Sequence, residues 1–485
     1  MKTTKKNISV QKENGRFYTP TYMVKNILDM SGYYGNKILK KHAIDNSCGD
    51  GAFLSEMVRR YCEESKNAGI ASDEIKKHLE IYIHGIEIET TEQKKCIDKL
   101  NGVVSDFGID KVEWDIICGD ALSIDKYNGK MDYVLGNPPY VRVHNLGDSF
   151  DDIKAFSFAQ DGMTDLYIVF YEIGIKMLSK NGTLGYITPS SFFNSIAGSY
   201  MRKVFVNDNL IDKICNLRHY QAFNATTYTT IVIIKNNKTS ENVDCYLFDE
   251  KNQIPFYIDT LSPNDYYIAG NFYFEKKKKL AVISKIYSNL GKCDIAVKNG
   301  YATLCDEVFI NDFTFDSKYI IPVVKASRGI VKKAFFPYAR NGSLIPEEEI
   351  KCDNRMYSYL LENKDKLLNR SNEKSNDKYW YAFGRSQAIK DTYKDKLSIN
   401  SLLRTIDDFK FVEAPKGTGV YGGLYLVSDT IPIEQIKKVL KTEEFFNYVS
   451  LLGKYKSGGY YTFSSKDVKV YLDYKFAYDG GIFSC

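Results

Sequence analysis

The chain has 485 residues, of which 44% are hydrophobic and 26% charged, with a net charge of +5. That length exceeds one ordinary domain, and the apolar content is enough for two cores. No stretch approaches the roughly 20 apolar residues of a membrane span, and Met1 to Val10 is polar, without the apolar centre of a secretory signal, so a cytoplasmic protein is expected.

The ten cysteines (Cys48, Cys62, Cys96, Cys118, Cys215, Cys245, Cys293, Cys305, Cys352 and Cys485) form no CxxC pair, and only five histidines are present. Neither a metal site nor a disulfide framework is expected from such spacing. The mild positive charge follows equally from lysines on a solvated surface. With 14% aromatics it is also compatible with a nucleic-acid partner.

In chain order, short apolar runs alternate with amphipathic stretches, the pattern of an α/β domain with a mostly parallel sheet. Strands are predicted at Ala43–Asn46, Ile81–Glu87, Trp114–Cys118, Met131–Leu135, Thr183–Ile187, Ile211–Asn216 and Thr229–Lys235. Helices are predicted between them at Ala52–Glu64, Thr91–Leu100 and Leu166–Leu178, with Gly182 as a left-handed stop for the last. Asn236 to Asn242 reads as a turn, and strand signals continue to about Asp259. Beyond residue 262 the pattern loses its regularity. The predicted division is therefore residues 1–262 and 263–485, the second an α+β domain. Its lysine run Lys276–Lys279 reads as a solvated helix face.

The ends of the successive strands carry the chemistry. The first strand runs into Asp45-Asn46-Ser47-Cys48-Gly49-Asp50-Gly51-Ala52-Phe53, a carboxylate followed by a small-residue turn into a helix. Gly49 and Gly51 let backbone approach a ligand at the carboxyl end of the sheet. The second strand ends at Glu87, with Ile88 beside it; a carboxylate there can accept from both hydroxyls of a ribose, or simply be an exposed strand end. The third is followed by Asp120 and Ala121, where the Asp can accept from an adenine amino group. The turn lacks the full G-x-G-x-x-G of a dinucleotide site. S-adenosylmethionine, which has no pyrophosphate, needs no third glycine.

After the fourth strand comes Asn137-Pro138-Pro139-Tyr140. The exocyclic amine of adenine is a weak nucleophile because its lone pair is delocalised into the ring. Two acceptors aimed at its N–H groups, the Asn137 side-chain oxygen and the Pro138 carbonyl, would pull the nitrogen toward tetrahedral geometry. Two prolines hold those acceptors stiffly. Tyr140 offers a stacking face. Read without chemistry, the same residues are a Pro-Pro turn.

These residues resemble the γ-class, TaqI-like DNA adenine-N6 methyltransferases. Gly15-Arg16-Phe17-Tyr18-Thr19-Pro20 is similar to the family's motif X, which implies that Tyr18 and Thr19 close over the cofactor. Asp45 to Phe53 resembles motif I, Glu87 motif II, Asp120 with Ala121 motif III and Asn137 to Tyr140 motif IV. Thr164 to Tyr167 resembles motif V, and Gly182 to Ser191 a later glycine-strand-Pro-Ser block. Phe223 falls where the family keeps an aromatic that sandwiches the flipped base opposite Tyr140, with Tyr220 and Tyr228 as nearby alternatives. The resemblance implies S-adenosylmethionine as cofactor, double-stranded DNA as substrate and a Rossmann-like methyltransferase fold followed by a target-recognition domain.

The resemblance is looser in the second half, where it rests on Asn299 to Ile310, Lys325 to Ser327 and Tyr379 to Gln387. Of the candidate base or phosphate contacts Arg328, Arg340, Arg385 and Arg404, the segment Gly384-Arg385-Ser386-Gln387 stands out, because Arg and Gln have bidentate base-reading geometry.

Asn-Pro-Pro-Tyr also occurs in enzymes that methylate protein glutamine or ribosomal RNA. A fused nuclease and a non-catalytic DNA-binding protein are further alternatives. With motif X near residue 15 no fused nuclease is expected, and the acidic run Glu347–Glu349 reads as a solvated face. The expected enzyme is a monomer, either orphan or paired with a separate restriction endonuclease.

Overall fold

In the computed structural model, which describes residues 18–142, 153–223, 227–370 and 379–478, β1 (Ala43–Asp45) pairs in parallel with β2 (Ile83–Glu87) on one side and with β4 (Met131–Gly136) on the other. β3 (Asp115–Cys118) continues beyond β2, and β5 (Leu178–Pro189) beyond β4, both in parallel. β6 (Ile211–Asn216), β7 (Thr229–Lys235), β8 (Val243–Asp249) and β9 (Ile254–Leu261) complete one nine-stranded sheet in the order β3-β2-β1-β4-β5-β7-β6-β8-β9. β7 runs against both neighbours, and β9 against β8. The expected α/β fold with a mostly parallel sheet is therefore present.

The order reverses at β1. α2 (Ala52–Asn67), α3 (Ser72–Tyr82) and α4 (Thr90–Ser105) connect β1 through β2 to β3 in one direction. α5 (Leu166–Met177) lies on the connection from β4 to β5, which moves the other way. Right-handed crossovers place these helices on opposite faces, and the reversal opens a crevice at the carboxyl ends of β1 and β4. α1 (Thr21–Ser31), which starts after Pro20 and stops at Gly32 in a left-handed conformation (φ 77°), packs Met23, Val24, Ile27 and Leu28 into the same core as Phe53, Leu54, Met57 and Val58 of α2.

Two details of the sequence reading change. Ile81 and Tyr82 belong to α3 and not to the strand, which starts at Ile83. Gly182 does not stop a helix. α5 ends at Met177, the next residue Leu178 is already extended, and Gly182 lies inside β5. A Cβ there would lie 2.6 Å from the carbonyl oxygen of Met131. Glycine is needed for a close strand approach at the β4–β5 irregularity, and not for a left-handed turn.

The chain divides into two compact units, Met1–Ser284 and Lys285–Cys485, later than the boundary read after residue 262. The hairpin β10 (Tyr267–Ile268) and β11 (Asn271–Phe272) explains the difference. α6 (Ser199–Asn207) carries buried Arg202, whose Nε donates to the Gly270 carbonyl at 2.7 Å. Arg218 pairs with Glu275, and the Phe193 and Phe274 rings pack 5.2 Å apart. These contacts hold the segment after residue 262 to the first unit. Lys276 to Lys279 are solvent-exposed, as read.

In the second unit, the antiparallel sheet β12 (Ala296–Asn299), β19 (Leu424–Val427), β15 (Lys396–Ile399) and β17 (Phe411–Ala414) stands beside smaller sheets. One joins β13 (Ile320–Lys325) to β14 (Ile330–Phe335) and β18 (Gly419–Tyr421). Another joins β16 (Leu402–Leu403) to β20 (Tyr455–Lys456) through β21 (Tyr460–Thr462). Short helices accompany them, giving the expected α+β class, and an aromatic core collects Tyr301, Phe309, Phe335, Trp380 and Phe383. Among the described residues no helix is long and apolar enough to cross a membrane.

Candidate active site

β1 delivers Asp45 to the floor of the crevice, where it is 2% exposed. Its Oδ1 accepts from the Ser47 N–H at 3.0 Å, and a Cβ on Gly136 would come within 2.6 Å of the same oxygen, so the fourth strand must present glycine here. Burial, with Glu87 and Asp50 adding to it, pushes the Asp45 carboxyl up to about 7. The following turn takes Gly49 and Gly51 to positive φ (53° and 84°) before α2 begins. A Cβ on Gly51 would stand 2.7 Å from Cys96 Sγ of α4. Gly51 shapes the turn, whereas its neighbours Ser47, Cys48, Gly49, Asp50 and Phe53 line the cavity itself.

β2 ends at Glu87, which ties the turn down. Its Oε2 accepts from the Gly49 N–H and its Oε1 from the Glu89 N–H, both at 2.9 Å. The Cys48 N–H donates to the Ile86 carbonyl at 2.9 Å. Ile88, 61% exposed, and Glu89 complete this wall. After β3, Asp120 Oδ1 caps the Leu122 N–H at 2.9 Å, and Ala121 is buried beside it.

Asn137, Pro138 and Pro139 follow β4 into the same cavity. Asn137 Nδ2 donates to Thr19 Oγ1 at 3.1 Å, and Ser47 Oγ approaches the Asn137 carbonyl at 3.5 Å. The segment ahead of α1 and the turn after β1 thus both hold the tetrapeptide. Tyr18 covers the far wall, its hydroxyl donating to Glu92 at 3.2 Å. Gly15, Arg16 and Phe17 of the motif X reading lie outside the described residues.

The cavity has a volume of about 390 Å³ and gathers every cofactor residue read from the sequence except Gly51. It adds Asn46, Glu89, Glu92, Ile153 and Phe170, which strand-end reasoning missed. Phe170 carries a helical signal, being one turn beyond Leu166 on α5, but nothing in its type marks a ligand wall. Among the described residues, Asp45, Asp50, Glu87, Glu89, Glu92 and Asp120 give the lining six carboxylates and no lysine or arginine. Such a cavity favours a cationic ligand over a pyrophosphate.

Tyr140 is not on the cavity lining. Its hydroxyl donates to the Ile187 carbonyl at 3.0 Å, and burial raises its pKa well above the ordinary tyrosine value. Its ring meets Phe223 edge to face, with centroids 6.1 Å apart and an interplanar angle of 77°. Tyr220 is engaged elsewhere, with the Tyr22 hydroxyl at 2.7 Å and the Phe248 ring at 4.8 Å. Phe223, and not Tyr220, therefore stands at Tyr140. The two rings are not parallel, so a flat base between them requires one ring to turn.

In the second unit, Arg385 and Gln387 are exposed. Arg385 forms an antiparallel bridge with Ala302, and Gln387 Nε2 donates to the Gly300 carbonyl at 3.3 Å. Buried Arg370 fixes this segment by donating to the carbonyls of Thr303, Trp380 and Ala382. Arg328 is exposed. Arg340 lies over the Tyr393 ring and Arg404 over the Tyr460 ring.

Residues 38–223, which hold the strand ends just described, match the Eco57I restriction-modification methylase family. The chain is 25% identical to the Type II methyltransferase M.BstVI of Geobacillus stearothermophilus, over 76% of this chain and 74% of the relative. It is 24% identical to the Type II restriction enzyme and methyltransferase RM.Eco57I of Escherichia coli, covering 90% of this chain but 54% of the relative. Among solved structures, the restriction-modification enzyme MmeI in complex with DNA superimposes with a TM-score of 0.62 at 16% identity, over 91% of this chain and 63% of MmeI. A nuclease-deletion mutant of the enzyme LlaGI gives 0.56 at 12% identity, over 95% of this chain and 54% of LlaGI. The fold is shared with both.

Proposed function

We propose that the protein transfers a methyl group from S-adenosylmethionine to the N6 of an adenine flipped out of duplex DNA, and that the second unit selects the site. The observation that carries this reading is the meeting of Asn137-Pro138-Pro139 with the six-carboxylate cavity, one wall of which is Glu87. Support comes from the similarity to a Type II methyltransferase and to a restriction-modification enzyme whose structure is in complex with DNA.

The donor set fits the cofactor. Glu87 would hold the ribose hydroxyls, Asp120 with Ala121 and Ile88 the adenine ring, and Asp45 with the Ser47–Gly49 turn the methionine end under Tyr18 and Thr19. When bound, S-adenosylmethionine supplies an electrophilic methyl on a positively charged sulfur.

The chain's own residues prepare the acceptor. The Asn137 side-chain oxygen and the Pro138 carbonyl accept from the two N–H groups of the target amine and draw its lone pair out of the ring. Thr19 orients the Asn137 amide by taking its N–H. Pro138 and Pro139 remove backbone freedom at these acceptors. Tyr140 and Phe223 grip the base, and burial keeps the Tyr140 hydroxyl protonated. The surplus proton leaves the nitrogen after transfer, and no shifted general base is required. Arg385 and Gln387, exposed like Arg328, are the candidates for base contacts on the second unit.

The test is incubation of the purified protein with S-adenosylmethionine and unmethylated plasmid, followed by mapping of modified bases. N6-methyladenine at one recurring motif, lost in Asn137→Ala, is the expected result. Cofactor binding without DNA modification would overturn the substrate and direct the search to ribosomal RNA and protein glutamine.

A further inference from the structure

Flipping an adenine leaves a gap in the stack that something must occupy. Among the described residues the two most exposed large apolar side chains are Ile196 (76%) and Met163 (73%). One exposed apolar residue is ordinary, but the loops that carry these two lie against each other. A Cβ on Gly162 would lie 3.2 Å from Ile196 Cγ2, and Met163 is the next residue.

Both stand on the rim that carries the tetrapeptide, Met163 on the connection after β4 and Ile196 just beyond β5. Arg142 and Asp165 form an antiparallel bridge, and the Leu166 N–H donates to the Val141 carbonyl at 2.8 Å. Met163 is thereby held within a few residues of Tyr140. Across the rim, the Tyr167 hydroxyl meets Ser191 Oγ at 3.0 Å, and its ring packs edge to face on Tyr140 at 6.3 Å.

The loops under these side chains are pinned. Gly162 takes φ 59°, a conformation other residues resist. The Ser199 hydroxyl bonds the Ile196 carbonyl at 2.7 Å and also meets the Asp161 carboxylate. Arg202, 3% exposed, donates to the carbonyls of Phe192 and Ser195 at 2.7 and 2.8 Å. Backbone is thus fixed while the apolar tips stay in solvent. A protein partner seated there would obstruct the mouth through which the base must enter; duplex DNA is the occupant that the catalytic cycle itself brings to this rim.

We propose that Met163 and Ile196 form an apolar wedge that enters the base stack beside the flipped adenine and stabilises the gap, an inference that rests on the duplex-DNA reading above. Apolar wedges of this kind offset part of the cost of unstacking. The wedge matters when the target base is paired and loses its importance when the base is already loose.

The experiment compares wild type with the double variant Met163→Ala/Ile196→Ala on the duplex that wild type methylates, either fully paired or with a mismatch opposite the target adenine. The expected single-turnover rate falls at least about tenfold on the paired duplex and stays within about threefold on the mismatched one. 2-Aminopurine at the target position loses its fluorescence gain only in the paired duplex. Cofactor affinity and thermal midpoint stay at wild-type values, and Met163→Leu/Ile196→Val restores the paired rate. Equal losses on both duplexes, or no loss, overturn the wedge while the DNA reading stands. If no duplex that wild type methylates exists, both the wedge and the DNA reading are overturned.

Discussion

Asn137 Nδ2 and Thr19 Oγ1 are 3.1 Å apart, so a residue ahead of the first strand orients the amide that follows the fourth. Thr19→Val removes the acceptor and keeps the shape. The loss of one such bond, about 1 kcal/mol, corresponds to a fall in kcat of roughly fivefold, with cofactor affinity changed much less. Single-turnover kinetics beside calorimetric titration of S-adenosylmethionine distinguish the two effects. Equal losses in both would reduce Thr19 to a piece of the binding wall.

Glu87 holds the turn after β1 through Gly49 and its own strand end through Glu89. Glu87→Ala removes charge-assisted acceptors from a buried position, at about 2 kcal/mol, or roughly 30-fold in cofactor Kd. Glu87→Gln keeps the shape but only one accepting oxygen, and falls between the two. Unchanged affinity in Glu87→Ala would show that the turn does not need this carboxylate to bind cofactor.

The strand ends were legible in the sequence because each places its candidate residue at the end of an apolar run, and the structure brings these residues to one cavity. Asp45, Glu87, Asp120 and Asn137 needed no tertiary knowledge beyond the order of strands. Phe170 and Glu92 were not legible, because they reach the cavity from helix faces whose rotation depends on packing. The boundary near residue 262 misled for a similar reason. The loss of regular pattern there marks the end of the sheet, whereas the next segment is held to it by Arg202 and Arg218, contacts distant in sequence. The glycine at 182 read as a helix stop because local rules know left-handed turns better than close strand approaches.

Gly182 offers a test of that last point. An added methyl would stand 2.6 Å from the Met131 carbonyl, inside the contact distance of carbon and oxygen. Gly182→Ala should destabilise the fold by about 1–3 kcal/mol, the usual range for overpacking, as read from urea denaturation. A left-handed cap would also resist alanine, so the discriminating variant is Gly182→Asn. Asparagine is tolerated in left-handed turns but not in this crowded strand, and a mild effect of Gly182→Asn beside a large one of Gly182→Ala would contradict the strand geometry.

Asp45 couples the site to pH. Its folded pKa is raised to about 7 by burial, against about 3.9 for an unfolded aspartate. Between these values the folded protein holds a proton that the unfolded chain has released. The folded state therefore binds more protons, and stability contributed by this group falls as pH rises from about 4 through 7. Asp45→Asn removes the ionisation and with it the slope. Without cofactor, the variant should gain stability relative to wild type on going from pH 5 to pH 8, by an amount on the order of a few kcal/mol at most. Chemical denaturation at the two pH values checks it. Parallel curves for the two proteins would mean that Asp45 is already ionised in the fold, with the Ser47 N–H and nearby water outweighing its burial.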